Sequence, residues 1–221
     1  MNILITGANR GLGFGFVQHY LQRGDDVWAC YRSDPAQLSD NPSEHLHLVR
    51  WDVGSDSKPA GELPEQIDLL INNAGIYGPG KDGQSLEKVT GQTMLDVFNI
   101  DCIGPLRVVQ HLIQRMARRS IIANVSSKMG SSSENSSGGT YAYRAAKAAL
   151  VIVSKSIAVD LAAQDIHVIS LHPGWVKTDM THHTGLIDVA TSVSGMSDVI
   201  ARAREYDPGT FVAFDGQLVP Y

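Results

Sequence analysis

The sequence predicts an α/β fold: a doubly wound parallel sheet of about seven strands with helices on both faces. Short, β-branched apolar runs alternate with longer helical patterns along nearly the whole chain. That β-α-β-α order is what a parallel sheet requires. Several of the short runs are apolar almost without alternation, as strands covered on both faces must be. With 221 residues, 43% apolar and 19% charged, the chain fills a substantial core and lacks the composition of a disordered segment. No internal repeat or composition break divides residues 1–221, so one domain is expected.

The elements follow in order. Ile3–Thr6 is the first strand and begins too close to Met1 to leave room for a signal peptide. A helix spans Gly11–Arg23, and strands Val27–Tyr31 and Leu46–Trp51 come next. From Trp51 to Ile67 the chain is polar and carries Pro59 and Pro64, which reads as loop or a very short helix. Leu69–Asn72 is the fourth strand. Gln92–Arg118 reads as one long helix, apolar over a wide arc that includes Leu95, Ile103, Leu106 and Met116. Ser120–Ser126 is the fifth strand. Gly130–Gly139, rich in serine and glycine, reads as a mobile loop. A helix over Tyr143–Ala163, a strand over His167–Leu171, a helix over Ser194–Glu205 and a strand over Phe211–Phe214 complete the pattern.

Composition narrows the function. The net charge is −5, and the longest basic run is Arg118-Arg119, which argues against nucleic acid as a partner. No apolar stretch approaches the roughly 20 residues needed to span a bilayer, so a membrane is not expected either. Cys30 and Cys102 form no disulfide framework, and a reducing, cytoplasmic compartment is the simplest reading. The eight histidines show no metal-ligand spacing, and there is neither a His-Glu-x-x-His nor a paired Cys-x-x-Cys motif. No metal is expected.

After the first strand comes Thr6-Gly7-Ala8-Asn9-Arg10-Gly11-Leu12-Gly13, which opens directly onto a helix. Glycines permit a tight turn and a close backbone approach. A helix N-terminus offers unpaired N–H groups and partial positive charge, which suit a pyrophosphate. The end of the second strand discriminates between dinucleotides, because an acidic residue there suits a free ribose and arginine suits a 2′-phosphate. The residues there are Cys30-Tyr31-Arg32-Ser33. Arg32 and Arg10 are therefore expected to flank a 2′-phosphate, which favours NADP(H). Asp34 keeps NAD(H) open as the alternative.

Tyr143 and Lys147 lie four residues apart on a predicted helix, hence on one face. Tyr141 is a neighbouring phenol, but Ala145 occupies the position four residues on. A free tyrosine has a pKa of about 10. An ammonium about 4 Å away, at an effective dielectric constant of about 20, favours phenolate by about 4 kcal/mol. That corresponds to about three pKa units and would bring Tyr143 into range for acid–base work. Upstream, Ser127 follows the fifth strand at the rim where α/β sheets bind ligands and is a candidate to orient a carbonyl.

Taken together, Thr6-Gly7-x-x-x-Gly11-x-Gly13, Asp52-Val53, Asn72-Asn73-Ala74-Gly75, Ser127, Tyr143-x-x-x-Lys147 and Pro173-Gly174 resemble the classical short-chain dehydrogenase/reductase family nearly end to end. Tyr141-Ala142-Tyr143-Arg144 and Leu171 through Met180 are similar to its C-factor and sniffer-type carbonyl reductase branch. The resemblance implies a Rossmann-type fold and hydride transfer between a nicotinamide and a carbonyl or alcohol substrate. Tyr143 would be the general acid, Lys147 would bind the nicotinamide ribose and depress the tyrosine pKa, and Ser127 would polarise the carbonyl. Gly7, Asn9, Arg10, Gly11, Leu12, Gly13 and Arg32 would hold the phosphates. Asp52 would contact adenine beside Val53, and Asn73-Ala74-Gly75 would line the adenosine and ribose. Pro173, Gly174, Val176 and Thr178 would hold the nicotinamide side. The family's long fourth helix also implies a homodimer or other homo-oligomer. An alternative reading is a nucleotide-binding signalling or regulatory protein with little turnover.

Two departures from the family pattern stand out. Asp101 occupies the position, three residues before Gly104, where the family usually has asparagine. An ionised Asp101 near Lys147 would offset part of the lysine's pull on Tyr143. Tyr143 also lies sixteen positions after Ser127, more than usual, a surplus the Ser/Gly loop can absorb.

Overall fold

Seven strands lie in one sheet, and every neighbouring pair is parallel. They are β1 (Asn2–Thr6), β2 (Asp26–Tyr31), β3 (Leu46–Arg50), β4 (Ile67–Asn72), β5 (Met116–Val125), β6 (His167–His172) and β7 (Phe211–Ala213), in the order β3-β2-β1-β4-β5-β6-β7. The computed structural model describes residues 1–221. The helices are α1 (Gly11–Gln22), the single turn α2 (Gly80–Gly83), α3 (Gly91–Phe98), α4 (Gly104–Leu112), α5 (Tyr141–Asp160) and α6 (Val189–Ala201).

Period-two alternation sends the side chains of each strand to two cores. Ile3, Ile5, Ile71 and Ile169 point to one face, where Phe16, Tyr20, Val193 and Met196 of α1 and α6 cover them. Leu4, Leu70, Ile122 and Val168 point to the other, under Val108, Leu112 and Ile157 of α4 and α5. All seven predicted strands are present, most within two residues of their expected ends.

The main departure is the long helix expected over Gln92–Arg118. It is broken into α3, a π-turn over Asn99–Ile103, α4 and a 3-10 turn over Ile113–Arg115, and the chain is already in β5 from Met116. Pro105 gives the physical reason for the first break. It has no N–H to offer the carbonyl of Asp101 four residues back, and its ring would crowd that carbonyl in a regular helix. The second misreading arose because Met116 falls on the helical arc yet pairs with Ile67 at the start of the sheet. Arg119 then takes φ 67° where the β4–β5 register shifts. At the C-terminal end, α6 begins at Val189, ahead of the expected Ser194, because the Asp188 side chain caps it by accepting from the Thr191 N–H at 2.8 Å. The Trp51–Ile67 connection holds no helix; its Ala60 bridges back to Arg50.

The turn after β1 is closely packed. Gly7 has φ 63°, and a Cβ there would lie 2.8 Å from the Ala74 Cα. A Cβ on Gly13 would lie 2.1 Å from the Gly7 carbonyl oxygen. Gly13→Ala is therefore expected to lower stability by at least about 1–3 kcal/mol, the usual cost of overpacking. Gly91→Ala should be neutral or stabilising by up to about 1 kcal/mol, because nothing lies within 4 Å of its Cβ position and alanine is the better helix former. Urea midpoints of the two variants test the contrast.

Candidate active site

The strand order reverses between β1 and β4, so their carboxyl ends open a crevice, the place where such sheets hold ligands. Polar strings at those ends fix its walls. The Thr6 hydroxyl accepts the N–H groups of Asn73 and Ala74, each at 3.1 Å. The Asn73 amide donates to the carbonyls of Thr6 and Gly7, each at 3.0 Å. Asn73 thus holds the glycine turn in place, and its side chain is engaged in doing so. Deeper in, Asn72 donates to Asn124, Asn124 to Ser154, and Ser154 to the Leu150 carbonyl, at 2.8, 2.8 and 2.6 Å. This buried chain runs from β4 through β5 to α5 and sets that helix against the sheet.

At one end of the crevice, beyond β2 and β3, lies a pocket of about 440 Å³ bordered by Arg32, Ser33, Arg50, Asp52, Ser57 and Lys58. Three of these side chains are cationic. Asp52 also accepts the Gly54 N–H at 2.9 Å, and Val53 is buried beside Gly104. Arg10 does not border the pocket; it is the exposed residue that precedes α1. Of the two arginines expected near a 2′-phosphate, Arg32 borders this pocket, together with Arg50 and Lys58. Asp34 is tied into its own turn, its carboxylate accepting the Ala36 N–H at 2.9 Å and its carbonyl accepting from Asn9 at 2.8 Å.

On the far side, Pro173–Thr178 follow β6. The Pro173 carbonyl accepts from Ser192 at 2.6 Å, Gly174 packs on Ile187 and Phe214, and Val176 is buried and bridged to Ile187. The Thr178 methyl approaches Gly11, 3.7 Å from where a Cβ would stand, so the two predicted ligand loops face each other. Leu12 packs partly buried against the core beneath.

In the middle stand Ser127, Tyr143 and Lys147, all buried. The Lys147 Nζ donates to the Val125 carbonyl at 3.1 Å, forms an ion pair with Asp101 Oδ2 at 3.2 Å and lies 5.6 Å from the centre of the Tyr143 ring. Asp101 Oδ1 accepts the Ile76 N–H at 2.8 Å. A Cβ on Gly75 would sit 3.3 Å from both Asp101 Oδ2 and Lys147 Nζ, so Gly75 leaves this space to the pair. Ser127 begins a turn by accepting the Met129 N–H at 3.2 Å, and His172 Nδ1 accepts the Lys128 N–H, also at 3.2 Å. Burial pushes the His172 pKa down to about 4, so the ring is a neutral acceptor at physiological pH. The Ser/Gly loop is anchored: Arg144 donates to the Met129 carbonyl and the Ser137 hydroxyl.

The electrostatics differ from the simple Tyr–Lys estimate. Burial pushes the Tyr143 phenol above its ordinary pKa; Lys147 and the Ser127 hydroxyl pull it down, while Asp101 pushes it up. Burial also works to lower the Lys147 pKa, but Asp101 and Tyr143 outweigh it and hold the ammonium above its ordinary value. Burial raises the Asp101 carboxyl against the opposing pull of Lys147. The opposing push of Asp101 is the one its position in the sequence implies, whereas the low-dielectric surroundings that raise the phenol most arise only on folding.

Sequence reasoning missed four residues here. Arg50 had a readable signal, because in the order β3-β2-β1 it pairs with Tyr31, next to Arg32. Lys58 comes from an irregular loop with no pattern. The Tyr77 ring meets the Tyr143 ring at a tilt with centres 5.0 Å apart, and Gln84 is wholly buried; neither belongs to a motif.

The family model described as short chain dehydrogenase matches residues 1–186. The chain is 37% identical over 157 residues to C-signal of Myxococcus xanthus, covering 70% of this chain and 93% of that protein. Its fold superposes on the NADPH-bound carbonyl reductase from chicken fatty liver with TM-score 0.88 at 29% identity, covering 100% of this chain and 98% of the other. Carbonyl reductase Sniffer of D. melanogaster superposes with TM-score 0.87 at 30% identity, covering 100% and 99%.

Because Asp101 raises the Tyr143 pKa, Asp101→Asn should lower it. The amide keeps an acceptor for the Ile76 N–H. Ultraviolet titration of phenolate, with the same curve from Tyr143→Phe subtracted, should show Tyr143 ionising at lower pH in the variant. An unchanged curve would remove Asp101 from the electrostatics of the site.

Proposed function

The chain belongs to the short-chain dehydrogenase family, and from that membership we propose an NADP(H)-dependent carbonyl reductase whose catalytic residues are Ser127, Tyr143 and Lys147. The observation that carries this reading is the meeting of a buried phenol, a buried ammonium and a serine hydroxyl at the carboxyl ends of β4 and β5, beside the reversal of strand order. The surrounding residues fit a dinucleotide. The Gly7–Gly13 turn is closed to any added side chain at Gly7 and Gly13, and the pocket beyond β2 offers three cations for a 2′-phosphate. The NADP(H) and carbonyl named for the structural neighbours support the same choice over NAD(H).

In this reading Arg32, Arg50 and Lys58 bind the 2′-phosphate, and Asp52 and Val53 border the adenine. Gly7, Asn9, Arg10, Gly11, Leu12 and Gly13 form the pyrophosphate turn. Asn73, Ala74 and Gly75 line the ribose side, and Pro173, Gly174, Val176 and Thr178 line the nicotinamide side. The bound nicotinamide supplies or takes up the hydride. Ser127 donates a hydrogen bond that orients the substrate oxygen, and Tyr143 gives that oxygen its proton. Lys147 stabilises the phenolate left behind, and Asp101 and the Val125 carbonyl hold the ammonium in place. A phenol with a raised pKa stays protonated at neutral pH, which suits reduction. The reverse oxidation needs phenolate and should quicken as pH rises.

Residues 1–221 act as one domain in the cytoplasm on a small carbonyl substrate. Leu95 of α3, Ile103 of the π-turn and Ile152 and Val159 of α5 are exposed apolar side chains, which supports a homodimer. The relative named C-signal favours a second reading, a nucleotide-binding regulatory protein with little turnover.

NADPH absorbance followed across a panel of carbonyls separates these readings. The reductase reading expects turnover that Tyr143→Phe reduces by about 10²–10⁴-fold, the usual contribution of a general acid. Tight NADPH binding with no turnover supports the regulatory reading, and no affinity for either pyridine nucleotide ends both. Arg50→Ala and Lys58→Ala should each raise the KM for NADPH by about 10-fold or more and leave that for NADH unchanged, since a hydrogen bond to a charged group is worth about 1.5–3 kcal/mol.

A further inference from the structure

Helix α5 carries both Tyr143 and Lys147, yet it lacks a cap of its own. The residue before it, Thr140, is in the left-handed region at φ 53°, and its side chain makes no capping bond. The first-turn N–H groups of a helix have no partner within the helix and must find one elsewhere. The N–H of Tyr143, inside a buried site, is one of them.

The partner comes from 59 residues away. Gln84, which ends α2, is 0% exposed. Its Oε1 accepts the Tyr143 N–H at 2.9 Å. Its Nε2 donates to the Tyr77 carbonyl at 2.6 Å. Its own carbonyl accepts the Tyr141 N–H at 3.4 Å. One residue therefore closes two open donors of the helix and at the same time holds the loop after β4. That loop carries Tyr77, whose ring meets the Tyr143 ring at 5.0 Å and 51° and whose hydroxyl lies 3.4 Å from the Thr140 hydroxyl. An amide buried only to satisfy its own turn would have no reason to accept from N–H donors on a distant helix.

We infer that Gln84 is a positioning residue for Tyr143: a buried amide that caps α5 from outside and fixes the phenol and the Tyr77 wall as one unit. Gln84 touches neither the glycine turn nor the cationic pocket, so its effect falls on the placement of the phenol and not on nucleotide affinity. Hydrogen bonds of this kind are directional, and an apolar side chain of the same length fills the space without supplying them.

The inference rests on the reductase reading for its kinetic arm only. Gln84→Met should keep the wild-type circular dichroism spectrum and bind NADPH within about twofold of wild type, while kcat for carbonyl reduction falls by about 10-fold or more. Folded Gln84→Met with kcat within about twofold of wild type, or with kcat lost only in step with NADPH affinity, would overturn it. Two measurements do not depend on turnover. The Tyr143 phenol should titrate at lower pH in Gln84→Met, nearer its ordinary value, because a loosened first turn lets water in. In the unaltered protein, amide hydrogen exchange at Tyr143 should be slow. Rapid exchange at that amide would overturn the inference even if the variant fails to fold. If wild type reduces no carbonyl but both measurements hold, the reductase reading fails and the role of Gln84 stands.

Discussion

An ammonium withdrawn from water must have its charge answered close by, and at Lys147 the answer is the Asp101 carboxylate, 3.2 Å away and equally buried. Removing either partner of such a pair leaves an uncompensated charge in a dry interior, at a typical cost of about 3–5 kcal/mol. The pair draws together elements far apart in the chain. Asp101 sits in the π-turn between α3 and α4, Lys147 in α5, and the groups that complete their hydrogen bonding are the Ile76 N–H after β4 and the Val125 carbonyl at the end of β5. The placement of Tyr143 depends on this knot.

The same pair sets the chemical character of the phenol. With lysine alone, Tyr143 would be pulled toward phenolate. Burial favours the neutral phenol most strongly, and the carboxylate beside the lysine offsets part of the lysine's opposing pull. The π-turn at Asn99–Ile103, by carrying Asp101 to Lys147, is thereby linked to the protonation of a phenol in another helix.

Around the knot, polar side chains replace what a parallel sheet cannot provide at its strand ends. Thr6 and Asn73 hold the glycine turn, the Asn72–Asn124–Ser154 chain indexes α5 to the sheet, and His172 supports the residue after Ser127. These hydrogen bonds join the strand ends to the turn and to α5, which favours one geometry of the site over several.

Much of this was legible in the chain. Alternating strand and helix patterns gave seven parallel strands, because hydrophobic period is a local property. The Gly7–Gly13 turn, Ser127 and the Tyr143–Lys147 pair were legible because spacing along one turn or one helix face fixes who stands beside whom. The neighbourhood of Asp101 and Lys147 was anticipated only through family resemblance. Tertiary structure alone decided that the long apolar stretch would become strand at Met116, that Lys58 would join the arginines at the cationic pocket, and that Gln84 would cap a helix 59 residues away. The reason is physical: burial, charge balance and a hydrogen bond between distant segments exist only after the chain has closed on itself, and no local pattern encodes them.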